Sequence, residues 1–191
     1  MWDYNFGDPL KPSPYFADRF KYFFKRFASS ESLRRWFLKQ AGEDSGAFSF
    51  PDILKNHPKT LVFLPRKFED AVAFLSPMPK EWFNNVQFCA HESLQALISA
   101  KRSHAFYFSD LECRFGEPVF EGILAKIEAY EPEVCIYLDE PFLPRLYLAK
   151  KSGAQCRIGF NSESLYPFLN LSLHPDQSSE AALISKYYGV T

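Results

Sequence analysis

Phe16, Phe20, Phe23, Phe24 and Phe27 recur at the i, i+4, i+7, i+8, i+11 spacing that places all five on one face of a helix. Ser29, Ser30 and Glu31 interrupt this pattern with capping chemistry. A second helix is predicted over 32–40, with Leu33, Trp36 and Phe37 on one side. Residues 41–50, carrying two Gly and two Ser, read as a linker. The chain thus divides into an aromatic, basic helical extension over 1–50 and a second unit over 51–191.

Beyond residue 50 the period changes. Short apolar runs at 61–64, 85–89, 104–108, 134–138 and 155–160 predict strands. Between and after them lie helical patterns at 68–75, 92–101, 117–130, 142–151 and 177–188. Phe120, Leu124 and Ile127 align along one helix, and Gly153 and Gly189 stand where helices should close. Strands alternating with helices form βαβ units. The expected fold is therefore α/β: a doubly wound, Rossmann-like parallel sheet of five to six strands. For the five strands assigned, the order 3-2-1-4-5 puts the switch point between the first and fourth. A ligand crevice belongs at their carboxyl ends, where residues 65–70 and the pair Asp139-Glu140 lie.

Composition adds two features. Aromatic residues reach 18%, with 21 Phe and 10 Tyr, enough for a dense core or adhesive surfaces. The net charge of −1 gives no general attraction for nucleic acid. It is unevenly spread, because residues 16–40 hold seven basic side chains against two acidic ones. The basic Phe-rich helix has three open fates. It can pack its aromatic face on the domain, lie on an anionic membrane surface, or meet a protein partner through Phe16, Phe20, Phe23, Phe24, Phe27 and Trp36. The opening MWDYNFGDPL shows no signal-peptide pattern, and no apolar run approaches the roughly 20 residues of a spanning helix. Four cysteines without a C-x-x-C pair suit buried free thiols. The expected location is the cytoplasm, with the inner membrane face as the surface the basic helix would touch.

The turn after the first strand, PRKFED, contains no glycine, so backbone amides cannot closely approach a pyrophosphate. No Walker loop or G-x-S-x-G elbow occurs, and His57, His91, His104 and His174 lack metal-ligand spacing. Neither cofactor nor metal is expected. Asp70, at the mouth of the crevice, is placed to accept a proton from a hydroxyl, or simply to complement a helix dipole. Asp139 and Glu140 before Pro141 carry the same two readings. Arg66 and Lys67 fill the first turn and complete the candidate ligand-binding set.

The stretch LVFLPRKFEDAVAFLSPMP (61–79) resembles the opening of the heptosyltransferase-like glycosyltransferases of family nine. There a strand leads into a Gly-Asp turn and a helix ending in Thr/Ser-Pro; Asp70 and Pro77 take the Asp and Pro positions. EVCIYLDEPFLPRLYLAKKSGAQCRIGF (133–160) is similar to a later strand-helix-strand of that family, through Gly153, Ala154, Arg157, Ile158, Gly159 and Phe160. The tail LHPDQSSEAALISKYYGV is similar to the end of the family's first domain. The resemblance covers about residues 59–190. It implies the acceptor-side half of a two-domain GT-B enzyme, with Asp70 as the family's catalytic base and a lipopolysaccharide-type glycan as acceptor. Glu69 in place of the family's glycine, the bulky Arg66-Lys67 turn, Pro141 and Pro144, and the stop at Thr191 before any donor domain depart from it. The expectation is a binding or scaffold module that does not catalyse transfer alone. Two alternatives are the acceptor-binding subunit of a split glycosyltransferase and a peripheral membrane or assembly protein working through residues 14–40.

Overall fold

The runs Thr60–Phe63 and Val134–Tyr137 are buried at every residue, as a parallel sheet covered on both faces requires. A computed structural model of the protein describes residues 30–42, 46–108, 118–175 and 179–189. Within them the chain runs α1 (Ser30–Ala41), α2 (Asp52–Lys55), β1 (Thr60–Phe63), α3 (Phe68–Leu75), β2 (Val86–His91), α4 (Gln95–Ala100), β3 (His104–Phe108) and α5 (Pro118–Tyr130). It continues through β4 (Val134–Tyr137), α6 (Leu143–Lys151), β5 (Cys156–Phe160), β6 (Leu171–Leu173) and α7 (Glu180–Tyr188). Short 3₁₀ turns occupy Lys80–Asn85, Glu92–Leu94 and Glu163–Leu165. All six strands are parallel, in the order β3-β2-β1-β4-β5-β6. This is the doubly wound, Rossmann-like α/β fold, with its order reversing between β1 and β4.

Strand alternation divides the core in two. Val62, Leu64, Val134 and Ile136 point toward α2, α3, α4 and α7, where Leu54, Phe74, Leu75, Ile98 and Ile184 meet them. Leu61, Phe63, Cys135 and Tyr137 point the other way, toward α1, α5 and α6, through Phe37, Ile123, Ile127 and Leu146. The region read as a linker contributes to the first layer. Phe48 and Phe50 pack on it, and the Phe50 ring meets Tyr187 edge-on at 4.8 Å. Tyr188 anchors the last helix by donating its hydroxyl hydrogen to Thr60 Oγ1 at 2.6 Å, while that threonine donates to the Pro58 carbonyl. Gly189 then closes α7 with φ 67°, a left-handed conformation suited to glycine.

The crossover from β5 to β6 contains no α-helix, only the 3₁₀ turn and an irregular loop. The buried Arg157 organises that loop. Its Nε donates to Phe168 O at 2.7 Å, Nη1 to Ala154 O at 2.9 Å and Nη2 to Pro167 O at 3.4 Å. Without a crossover helix here, α1 packs beside α6. Phe37 is buried in the second core layer with its ring 5.6 Å from that of Tyr147, and Arg34 Nη2 donates to the Ser164 and Tyr166 carbonyls. The helix predicted over 32–40 is therefore part of the sheet's covering. Phe16, Phe20, Phe23, Phe24 and Phe27 lie outside the described residues, as do Cys113 and the side chains of Trp36 and Phe120.

Gly159 shows how closely the β5 edge is packed. A Cβ there would overlap the Ser162 side chain and lie 2.6 Å from Leu169 Cδ1. Gly159→Ala is expected to destabilise the domain by about 1–3 kcal/mol through overpacking. Urea denaturation followed by circular dichroism measures this, and an unchanged midpoint would show that the loop yields freely.

Candidate functional site

Parallel strands bring their carboxyl ends to one edge, and where the order reverses the following helices leave on opposite faces. After β1 the chain enters α3 on the first core layer; after β4 it enters α6 on the second. A cleft of about 350 Å³ opens in the gap, lined by Pro65, Asp70, Ala73, Phe74, Leu138, Ser179, Glu180 and Ala181. A smaller lobe of about 130 Å³ adjoins it toward β5, lined in part by Asp139, Asn161, Ser162 and Ser164. Leu138 and Glu180 line both lobes.

Asp70 reaches this cleft because Phe68–Leu75 forms a helix whose first turn carries Glu69 and Asp70, acids that suit the positive end of the helix dipole. Its neighbour across the cleft is Glu180, at the start of α7. Ser179 caps that helix by accepting from Ala182 N at 3.1 Å, which fixes where Glu180 emerges. Glu180 is half-buried. Burial in the cleft wall, and secondarily the Asp70 carboxylate, hold its carboxyl above the ordinary glutamate range. Ionising Glu180 in the folded protein therefore costs more than in the unfolded chain. Its share of stability is complete below about pH 4.5, the unfolded value, and is lost as pH rises through the higher folded value.

The other candidate residues have separate placements. Arg66 is exposed on the turn after β1. Lys67 Nζ meets Glu140 Oε1 at 3.3 Å, joining the turns after β1 and β4 across the rim; both side chains are largely exposed, so the pair contributes little stability. Asp139 is buried at the base of the smaller lobe. Its Oδ1 accepts from Glu140 N at 2.9 Å, and its Oδ2 pairs with Arg145 Nη1. Arg145 is itself buried, with its guanidinium 5.3 Å from the Phe108 ring centre and 5.1 Å from that of Phe142. The Asp139 carboxylate is thus engaged by a cation of its own fold. The structure brings Asp70 to Glu180 and Lys67 to Glu140, and turns Asp139 toward Arg145.

Glu180 was missed at the sequence level. The pattern Ser-Ser-Glu before an apolar run announces a helix start, but nothing local announces that this start faces Asp70. Arg145, in the run PFLPRLYLAKK, gives equally little sign of burial.

Chemically, the larger lobe offers carboxylate oxygens and apolar walls, with no Lys or Arg in its lining among the described residues. Such a surface accepts hydrogen bonds from hydroxyl groups and repels phosphate. Cys89, Cys135 and Cys156 are buried in the sheet as thiols outside any disulfide. Burial pushes the Cys156 thiol up to about 12 and Cys135 higher still, so neither is a ready nucleophile.

No family model, curated protein or solved structure matches this chain. Among the described residues, no helix is long and apolar enough to cross a membrane.

Proposed function

We propose that this domain binds a hydroxyl-rich glycan, in the manner of the acceptor-side half of a heptosyltransferase-like glycosyltransferase, and acts as a binding or scaffold module without transferring sugar alone. The observation that carries the reading is the Asp70–Glu180 carboxylate pair facing one switch-point cleft with no basic side chain in its lining among the described residues. Carboxylates accept hydrogen bonds from sugar hydroxyls, while Phe74 and Leu138 offer apolar surface for a ring face. A sugar nucleotide would need a phosphate cradle. The glycine-free turn at 65–70 and the acidic lining supply none, which argues against transfer by this domain alone.

A second reading follows from Asp70 itself. It is exposed and at the helix start, in the position its resemblance to the family gives the catalytic base. If a partner supplies a bound sugar nucleotide, Asp70 would take the proton from the acceptor hydroxyl as that oxygen attacks the anomeric carbon. The bond from that carbon to the phosphate oxygen would break, and the nucleoside diphosphate would leave with its electron pair.

Calorimetric titration with neutral glycans and with sugar nucleotides tests the proposal, using the protein and its Asp70→Asn variant. Neutral glycans should bind, and the variant should bind them about tenfold more weakly, as expected for loss of a charged hydrogen-bond acceptor. The same variant should lower the midpoint at which Glu180 titrates, followed by carboxyl-carbon NMR, because one of the two causes of its elevation is removed. Preference for sugar nucleotides, or glycan binding indifferent to Asp70, would overturn the assignment.

A further inference from the structure

We propose that the smaller lobe beside β5 is a second sugar subsite, so that the cleft takes a ligand at least two rings long with Glu180 touching both units. This rests on the glycan reading of the larger lobe and extends it. The two lobes adjoin: Leu138 and Glu180 line both, so a ligand passing Glu180 from the first would reach the second.

The smaller lobe differs from its neighbour in chemistry. It is lined by a side-chain amide and hydroxyls, Asn161, Ser162 and Ser164, above the apolar Leu165 and Leu169. Its backbone is held in place by bonds within the protein. Asn161 sits at φ 47° and donates its N–H to Leu173 O at 3.0 Å. Ser162 N donates to Ser172 Oγ at 2.8 Å, and Leu165 N to Ser162 O at 2.8 Å. From outside, Arg34 of α1 donates to the Ser164 carbonyl at 3.0 Å and to that of Tyr166.

Of the side chains lining the lobe, Ser162 Oγ donates to Ser172 Oγ at 3.4 Å, and the others are less committed. Asn161 Oδ1 meets His174 Nδ1 at 2.9 Å, which leaves its amide N–H groups. The Ser164 hydroxyl and the Glu180 carboxylate make no hydrogen bond among the described residues. A fixed wall carrying an amide donor, a hydroxyl and a carboxylate matches the mixed donor and acceptor pattern of a second sugar ring. The charge of Asp139 is neutralised by Arg145, so the base of the lobe does not add a further free acid. Arg34 is a positioning residue in this scheme: it touches no ligand and holds the Ser164 segment in place.

The test uses the full chain, labelled for amide NMR, with methyl hexopyranosides and the corresponding neutral disaccharides as probes. The disaccharides should bind about tenfold more tightly than the monosaccharides. Monosaccharides should shift the amides of Ala73 and Ser179, and disaccharides should also shift Asn161 and Ser164. Ser164→Tyr, at an exposed position, should fill the smaller lobe and abolish the disaccharide advantage. Arg34→Ala, outside the cleft, should reduce that advantage without altering which amides the monosaccharide shifts. Disaccharides that perturb only the larger lobe, with no gain in affinity, would overturn the second subsite and leave the glycan reading intact. Shifts at Asn161 and Ser164 alone would keep the subsite and remove the role assigned to Asp70. Absence of binding in either lobe would overturn both.

Discussion

Asp139→Ala is expected to cost about 3–5 kcal/mol of folding stability, because it leaves the Arg145 guanidinium buried without a counter-charge. Arg145 has 6% of its surface exposed and Asp139 8%, so water cannot replace the missing partner. Phe108 and Phe142 lie against the guanidinium, and its Nε–H finds no acceptor among the described residues. The aromatic faces return part of the lost solvation, but a quadrupole is a weak substitute for a carboxylate. Asp139→Ala also removes the oxygen that receives the Glu140 N–H, loosening the turn between β4 and α6. The control is the double variant Asp139→Ala/Arg145→Met. With both charges gone and the volume kept apolar, most of the loss should be recovered, since a buried ion pair gives little net stability over a well-packed apolar pair. Urea denaturation of the two single variants and the double completes a thermodynamic cycle. A single variant within about 1 kcal/mol of the parent would mean that Arg145 can reach solvent.

Trp82→Ala should be comparably damaging, at about 3–5 kcal/mol, for a different reason. Trp82 sits in the 3₁₀ turn Lys80–Asn85 with 2% of its surface exposed. Its ring centre lies 5.9 Å from that of Phe74, 5.4 Å from Phe83, 6.1 Å from Phe88 and 6.2 Å from Tyr188. One side chain thus joins α3, the turn itself, β2 and the end of α7. Removing it opens a cavity that four elements would have to collapse around, and each is also held by the sheet. Small domains hold roughly 5–15 kcal/mol in total, so the variant should unfold at markedly lower urea. Trp82→Phe, which keeps a ring in the cluster, should recover most of the difference. A loss below about 1.5 kcal/mol for the alanine variant would show that the cluster refills the space.

These two sites also show what a local pattern can and cannot reveal. Trp82 lies between two predicted elements, in a stretch with neither a 3.6- nor a 2-residue period. Its burial follows from where α3, β2 and α7 converge. Arg145 falls in a helix with basic neighbours and reads as a solvated position, yet the helix turns that face inward against Phe108 and Phe142. Strand β6, three residues long, carries too little apolar pattern to be assigned its own place. It forms because β5 presents an unpaired edge at Ile158–Phe160 and the Arg157-centred loop brings Leu171–Leu173 beside it.

The sequence by itself determined the alternation of strands and helices, the parallel sheet, the order of five of its strands and the switch point beside Asp70. The alternation depends on hydrophobic period, which is local, and the order follows from the general topology open to right-handed βαβ units. Only the tertiary structure decided that Glu180 faces Asp70, that Arg145 engages Asp139, and that α1 covers the side of the sheet where the β5–β6 crossover has no helix. Each of these joins residues far apart in the chain or depends on which way a helix face turns. Such contacts are selected by the packing of whole layers against one another, which no short stretch of sequence encodes.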